Sequence, residues 1–439
     1  MEVTYVGHAA IHVRGADGTT ILMDPWLEDP AYCNAWFHYP PLVHGVADLT
    51  PVDYVYVSHE HPDHFDAATL RRLPRDQKIL LPEFTSGVLR ARFEELGFHN
   101  FVVMPFGARL QLSTDTAITC LRSDLVWEDS AVVVESGGTT LFNMNDCKLG
   151  DGLLAEVGAR WQPDLVFVPF SGAIHFPTCY AYEPEERARI CAGRQQKHLD
   201  GFVHRVQLLQ AKRAVPFAGN FALLAPDQLW MNEKAQNNIN TPDQAIARLA
   251  ELAPEIEGLQ MNPGDRFSVA AGLVRHAEPP DFTRREEQIA ALSARWAPRI
   301  EALRSAEPQA RASLRADFVR YFGGIAERHP TLPGRIAARI VFDAEGENGG
   351  VFCLDYSADG LEVTDFVDGQ PWNLRFTLPA GVLQQVLDDA ICWDAVAISF
   401  RCRFRENPEF FNQDFWAMLY NPTQAFLDEY LANPNPQYA

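Results

Sequence analysis

Short apolar runs rich in β-branched and aromatic residues alternate with longer segments of helical periodicity between residues 1 and 277. The short runs predict strands at 3–6, 10–13, 20–23, 54–57, 78–81, 117–121, 131–135, 140–143, 165–169 and 214–217. The longer segments predict helices at 67–73, 85–96, 148–157, 183–211 and 242–252. This alternation predicts an α/β fold built from layers of sheet and helix.

The pattern changes after residue 277. Residues 278–333 are charged and helical in periodicity, and they predict a connector with an apolar stripe over 285–305. Beyond residue 334 the runs predict strands at 336–342, 351–356, 361–366 and 374–378 and helices at 383–390 and 410–420. The sequence therefore predicts an α/β domain at 1–277, a helical connector at 278–333 and a smaller C-terminal α+β domain at 334–439.

Polar residues follow several of the predicted strands. Asp24 follows 20–23, Asn145 and Asp146 follow 140–143, and Asn220 follows 214–217. Each of these alone is typical of an ordinary turn. Because α/β proteins build their sites at the carboxyl ends of strands, we expect these side chains to share one sheet edge.

The richest of these strand ends is the run after 54–57. It contains His59, His61, Asp63 and His64, and the two alternate histidines project to one side if the backbone is extended. Imidazole and carboxylate are ligands that suit zinc, iron or manganese. The run predicts a metal site with room for a second ion; the alternative is a polar turn that is rich in histidine.

Charge and composition narrow the possible partners. The net charge of −21 argues against nucleic acid and anionic membranes, but it permits a small anionic substrate held by a few arginines. Arg401, Arg403 and Arg405 alternate, so a strand there would present three guanidinium groups on one face; a solvated sheet face is the alternative.

The location of the protein is also indicated by composition. No apolar run approaches the ~18 residues that a membrane-spanning helix requires, and the first residues read as strand with no signal peptide. The eight cysteines include no Cys-x-x-Cys or Cys-x-His pair, which is typical of a reducing cytoplasm. We therefore expect a cytoplasmic protein without a membrane partner.

The histidine run resembles the His-x-His-x-Asp-His signature of the metallo-β-lactamase superfamily. Further segments resemble the CMP-N-acetylneuraminate hydroxylase family, and they extend over nearly the whole chain. They are Leu22–Leu27, Met104–Gly107, Asn145–Cys147, Pro216–Gly219, Trp393–Phe400, Arg403, Asn407–Pro408 and Phe415–Trp416. The resemblance implies a metallo-β-lactamase αββα sandwich, with the α+β domain as an appendage.

The resemblance also implies a set of metal ligands. His59, His61, Asp63 and His64 match the signature, and Asp146 matches the bridging aspartate of the superfamily. The superfamily usually has a further histidine before the strand at 131–135; here Asp124 is the expected replacement, with Glu128 or Asp129 as alternatives. His175 would close the site, unless it is a core or surface histidine.

Other residues are expected to act on the substrate or on the ligands. Asp63, His64 and Asp146 are the predicted catalytic residues. His8, Asn145, Asn220 and Arg403 are the predicted substrate-binding residues. His8 is expected to line the pocket and not to bind metal, with a structural hydrogen-bonding histidine as the alternative. Asp24 is expected to orient a ligand histidine.

Two reactions are compatible with these features. The hydroxylase resemblance implies a dinuclear iron oxygenase that acts on a small anionic metabolite, with a nucleotide-linked or phosphorylated compound as the expected substrate class. No Rieske domain precedes the first strand, so a separate electron-donor protein is expected. The alternative is a zinc- or manganese-dependent hydrolase of a phosphodiester or lactone; a non-catalytic metal-binding scaffold is a third possibility.

Overall fold

The computed structural model describes residues 1–124, 128–407, 410–420 and 423–432, so Pro408 and the last seven residues of the predicted C-terminal domain lie outside the described residues. The chain divides into two compact units. The first unit comprises Met1–Ala31, Trp36–Ala173 and Ala188–Arg295, and the second comprises Tyr32–Ala35, Ile174–Arg187 and Trp296–Ala439.

The first unit contains two large sheets and a two-stranded ribbon. Its strands are β1 (Glu2–Gly7), β2 (Ala10–Arg14), β3 (Thr20–Met23), β4 (Trp36–His38), β5 (Tyr54–Tyr56), β6 (Lys78–Pro82), β7 (Phe101–Met104), β8 (Arg109–Gln111), β9 (Thr116–Arg122), β10 (Ser130–Ser136), β11 (Thr139–Asn143), β12 (Leu165–Pro169), β13 (Arg213–Phe217), β14 (Phe221–Leu223), β15 (Glu257–Gly258), β16 (Arg266–Ser268) and β17 (Gly272–Val274). One sheet has the order β17-β16-β1-β2-β3-β5-β6-β7 and the other β15-β13-β12-β11-β10-β9-β8, while β14 pairs with β4.

Both sheets change from antiparallel to parallel pairing. In the first sheet β3, β5, β6 and β7 are parallel neighbours. In the second sheet β11, β12 and β13 are parallel neighbours. The parallel strands end at a common edge of each sheet, which is where their loops can bring side chains together.

Helices cover the outer faces of both sheets. The helices up to residue 305 are α1 (Val46–Leu49), α2 (Ala67–Leu70), α3 (Val88–Glu95), α4 (Asp151–Trp161), α5 (Pro184–Leu208), α6 (Pro242–Leu252) and α7 (Arg285–Ser305). The first turn of α5 falls in the segment 174–187 of the second unit. Apolar side chains of α1, α2 and α3 pack on the first sheet, and those of α4, α5 and α6 pack on the second. A third apolar cluster lies between the sheets. The predicted α/β class and αββα sandwich are confirmed.

The second unit is an α+β structure with one five-stranded sheet. Its remaining elements are α8 (Leu314–Arg328), α9 (Leu332–Ile336), β18 (Arg339–Glu345), β19 (Gly350–Ser357), β20 (Gly360–Asp365), β21 (Leu374–Pro379), α10 (Ala380–Leu387), α11 (Trp393–Ile398), β22 (Arg403–Glu406), α12 (Gln413–Tyr420) and α13 (Gln424–Ala432). The sheet order is β20-β19-β18-β21-β22, with β18 and β21 parallel.

The units do not follow the predicted domain boundaries at residues 277 and 333. The boundary at Arg295 falls inside α7, and α8 of the predicted connector belongs to the second unit. The reason is packing: the Phe318 ring of α8 lies 5.3 Å from the Phe342 ring of β18. Among the described residues, no helix combines the length and apolar composition that a membrane crossing requires.

The core between the sheets provides a test of the fold. Phe167 is fully buried there, with its ring centroid 4.9 Å from that of Phe217. Phe167→Ala should lower the free energy of unfolding by about 3–5 kcal/mol, because it removes buried area and leaves a cavity. Leu252→Ala, at a side chain that is 44% exposed, is the control and should change it by less than about 0.5 kcal/mol. Denaturant titration followed by tryptophan fluorescence measures both; equal losses would contradict this core.

Candidate metal centre

Asp24 links the ends of two parallel strands, β3 and β5. Its amide donates to the Tyr56 carbonyl (2.8 Å), and its Oδ1 accepts from the Ser58 amide (2.7 Å). The other carboxylate oxygen, Oδ2, lies 3.2 Å from Nδ1 of His64. Asp24 Oδ2 therefore faces His64 Nδ1 as an ion-pair partner, and Ser58 Oγ makes the hydrogen-bond contact with the same nitrogen at 3.2 Å. Together they fix the Nδ1 side of the ring and leave Nε2 for the site, as groups behind a ligand histidine do.

Two neighbouring groups of side chains have the composition of metal sites. His59, His61 and Asp146 form one group, and His8, Asp63 and His64 form the other. Within each group the possible ligand atoms all lie within 4.8 Å of one another. Oδ1 of Asp146 lies 3.9 Å from Nδ1 of His59 and 3.4 Å from Nε2 of His64, so it stands between the groups. The arrangement offers ligands for two ions.

The donor atoms themselves fit a pair of cations. Nε2 of His64 and Oδ1 of Asp146 are buried, and neither has a hydrogen-bond partner within the described part of the chain. A buried polar atom without a partner is costly, and a bound cation would satisfy both of these. Imidazole nitrogen and carboxylate oxygen suit zinc, iron and manganese.

The local electrostatics favour positive charge in this centre. Burial lowers the pKa of His64, but Asp146, Asp63 and Asp24 outweigh it and raise that pKa well above its usual value. Burial raises the pKa of Asp63 and Asp146, but the neighbouring histidines, His64 foremost, outweigh it and hold both pKa values low. Bound metal would provide the positive charge in place of the imidazolium, since histidine binds metal in its neutral form.

The three carboxylates that the sequence offers as alternatives for one ligand occupy different places in the structure. Oδ1 of Asp129 lies 3.2 Å from Nδ1 of His59. Asp124 belongs to neither ligand group; its oxygens accept from the Gly150 amide (2.8 and 3.0 Å), at the start of α4. Glu128 accepts from the Ser86 amide at 2.9 Å and from its hydroxyl. Asp129, and not Asp124, is therefore the carboxylate placed beside His59.

Asn145 acts on the loop that carries Asp146. Its Oδ1 accepts from the amides of Asp146 (2.6 Å) and Cys147 (2.9 Å), and its Nδ2 donates to the Ser130 carbonyl (2.7 Å). The side chain is fully buried. The structure gives Asn145 a positioning role, because backbone groups use both ends of its amide; its predicted substrate contact stays a prediction.

His8 is closer to the ligands than the sequence indicates. Its Nε2 lies 2.8 Å from Oδ2 of Asp63, and its Nδ1 lies 3.0 Å from the Asn220 carbonyl. His8 therefore either joins Asp63 as a ligand or holds it in place. Asn220 contributes to this contact through its backbone. The sequence indicated His8 by its position, because it follows the first predicted strand just as the other site residues follow predicted strands.

Four strand ends around the centre turn in the same unusual way. His8, Asp24, Asn145 and Ala218 all have positive φ, between 44° and 49°. They follow β1, β3, β11 and β13, and the Ala218 amide donates to the His8 carbonyl at 3.3 Å. This left-handed backbone costs a non-glycine residue about 1–2 kcal/mol, so the surrounding structure must enforce it.

Two predicted site residues lie in the second unit. The His175 ring is buried in an aromatic cluster, 4.9 Å from the Phe404 ring. Arg403 is exposed and pairs with Glu345 through both carboxylate oxygens (2.9 and 3.0 Å). Arg401 precedes β22 and is buried against Glu307, so the three arginines do not share one exposed face. The metal role of His175 and the substrate role of Arg403 stay predictions.

Asp129 can be tested against Asp124. Asp129→Asn keeps the shape of the side chain but removes the charge beside His59, and we expect about a 10- to 100-fold loss of metal affinity. Asp124→Asn is the matched control and should retain metal. Metal content after dialysis against a graded chelator, measured by mass spectrometry, gives both values. Loss of metal in the Asp124 variant alone would return the ligand role to that residue.

The comparison with known proteins agrees with this geometry. Residues 19–217 match the model of the β-lactamase superfamily domain. A Mycobacterium tuberculosis protein named as a Rieske 2Fe-2S iron–sulfur protein is 35% identical over 300 residues, which are 64% of this chain and 57% of that protein. This chain thus spans little more than half the length of that relative.

Two further similarities are more distant. The cytidine monophosphate-N-acetylneuraminic acid hydroxylase of Mus musculus is 25% identical over 95% of this chain and 73% of its own length. Among solved structures, the metallo hydrolase Igni18 from Ignicoccus hospitalis has a TM-score of 0.43 and 17% identity, over 61% of this chain and 98% of its own. Residues 19–217 resemble the β-lactamase superfamily domain, and the first unit that contains them has the layered sheets and helices of the metallo-β-lactamase fold.

Proposed function

We propose that this chain is the metal-binding catalytic part of a dinuclear iron oxygenase that hydroxylates or oxidises a small anionic metabolite. The observation that carries the proposal is the similarity to the mouse hydroxylase, which covers 95% of the chain and so includes the second unit. The fold alone does not choose a reaction, since one scaffold hosts several chemistries.

The ligand chemistry supports iron in particular. Three carboxylates, Asp63, Asp129 and Asp146, stand among the histidines, and such hard oxygen donors suit iron better than a histidine-only set does. When bound, iron would supply the chemistry of dioxygen reduction. Asp63, His64 and Asp146 would hold the ions and keep them at a fixed separation.

Residues behind the ligands would keep this geometry. Asp24 would fix the ring of His64 through Nδ1, and Asn145 would fix the loop of Asp146. His8 would hold Asp63 through the contact between Nε2 and Oδ2. A centre held from behind in this way positions its reacting atoms without rearranging during the reaction.

The electrons would come from another protein. The mycobacterial relative is named for a Rieske 2Fe-2S cluster, which is a one-electron carrier. We propose an iron–sulfur or reductase protein as the electron donor. No disulfide joins the eight cysteines, all of which lie among the described residues, and this suits a reducing compartment such as the cytoplasm.

The reaction class can be decided on the purified protein. We expect two irons per chain, a near-ultraviolet to visible band that bleaches on reduction, and oxygen uptake coupled to turnover of a nucleotide-linked sugar acid. His59→Ala should abolish both the band and oxygen uptake, because it removes a ligand. A colourless zinc protein that cleaves a phosphodiester or lactone without oxygen would instead establish the hydrolase.

The electron donor can be tested separately. Under air with substrate, we expect product only when a reduced ferredoxin-type protein or a chemical reductant is added, with product and consumed oxygen in equal amounts. The oxidised donor without reductant is the control. Repeated turnover by the chain alone would show that the substrate itself supplies the electrons and would remove the need for a partner.

A further inference from the structure

Basic side chains of α5 and of the loop before α4 are distinct from the ligands described above. His198 and Arg205 are seven residues apart, which is about two helical turns, so they share one face of the helix. Lys148, in the loop before α4, brings a further positive charge, which acts on His198 as those of Arg205 and its helix neighbours Arg194 and Lys197 do. We call His198, Arg205 and Lys148 the basic group.

Two glycines allow the basic group to pack closely. A Cβ on Gly172 would lie 2.6 Å from Cγ of Asn238 and 2.8 Å from Nε2 of His198, so both side chains pack against this glycine. A Cβ on Gly201 would lie 3.3 Å from Nη2 of Arg205, which shows that the guanidinium folds back along the helix toward His198. Nη1 of Arg205 donates to the Pro169 carbonyl at 3.1 Å.

The cations of the basic group lack ion pairs. Among the described residues, no carboxylate forms an ion pair with His198, Arg205 or Lys148; Asp151, whose charge acts on Arg205, is itself paired with His204 at 2.9 Å. Burial foremost, and after it the surrounding cations, lower the pKa of His198 to about 4. Concentrated positive charge is unusual in a chain with a net charge of −21 and favours an anionic ligand.

The basic group lies at the same sheet edge as the metal centre. Pro169 ends β12 and Gly172 follows it, while β11, its parallel neighbour, leads to Asp146 and, two residues later, to Lys148. Parallel neighbours end on the same side of a sheet, so the backbone that contacts the basic group lies at the same sheet edge as Asp146. An anion bound by the basic group would therefore lie on the side of the sheet that holds the metal centre.

We propose that His198, Arg205 and Lys148 form the subsite that binds the oxyanion of the substrate, a phosphate or carboxylate group. This inference rests on the proposed function only in taking the substrate to be anionic. Arg205 offers guanidinium donors that match two oxygens of such a group, and Lys148 offers an ammonium. His198, neutral near pH 7, adds a ring nitrogen as a hydrogen-bond partner.

The test uses the full-length, metal-loaded protein and two probes. Inorganic phosphate and acetate are titrated separately by calorimetry, because they distinguish a phosphate subsite from a carboxylate subsite. For the preferred probe we expect at least a 10-fold loss of affinity in Arg205→Gln and about a 3- to 10-fold loss in Lys148→Gln, with metal content unchanged. Lys212→Gln, which removes an exposed charge paired with Asp164, is the matched control and should bind normally.

The outcomes separate this proposal from the choice of reaction. Arg205 contacts the backbone, so Lys148→Gln and His198→Gln, at exposed and half-buried positions, keep the test valid if the Arg205 variant misfolds. Probe affinity that is equal in wild type and in these variants, or no binding of either probe to wild type, would overturn the subsite. If these variants lose probe binding and the wild-type protein proves to be a zinc hydrolase, the subsite stands and only the oxygenase proposal is refuted.

Discussion

The centre depends on the buried carboxylate of Asp24, which connects two parallel strands to one ligand. One oxygen holds the Ser58 amide where the histidine run begins, and the other lies 3.2 Å from Nδ1 of His64. Both contacts are fully buried, and electrostatic interactions are stronger in the protein interior than at its surface. Because the contacts join β3 to the loop after β5, the position of His64 follows directly from strand pairing.

The same principle extends to the second sheet. Asp146 is held by Asn145, whose amide group is bonded to the Ser130 carbonyl at the start of β10. His8, after β1, is bonded to Asn220, after β13. Ligands from both sheets are thus fixed by hydrogen bonds to backbone, and the space between the groups is defined by the sandwich and not by the loops alone.

The parts that could be predicted from sequence are those with a local signature. The histidine run shows four ligands within six residues, and alternating strand and helix patterns indicate the layered fold. The neighbour of His59 could not be predicted in this way, because Asp124 and Asp129 are equivalent as residues after β9. Only the pairing of β9 with β10 places Asp129 beside His59 and directs Asp124 to the start of α4. The grouping of 174–187 with the second unit likewise has no local signal, because it arises from packing between distant segments.

The four left-handed turns at His8, Asp24, Asn145 and Ala218 have a consequence for how this protein tolerates change. Each is a local conformation that the chain would abandon if the neighbouring strands moved apart, so ligand geometry is more sensitive than the fold itself to loosening of the sheets. A mild substitution deep between the sheets would therefore be felt first as altered metal selectivity in a protein that still folds. Variation in such core positions offers a route by which one scaffold changes its metal, and with it its chemistry, while the identity of every ligand residue is kept.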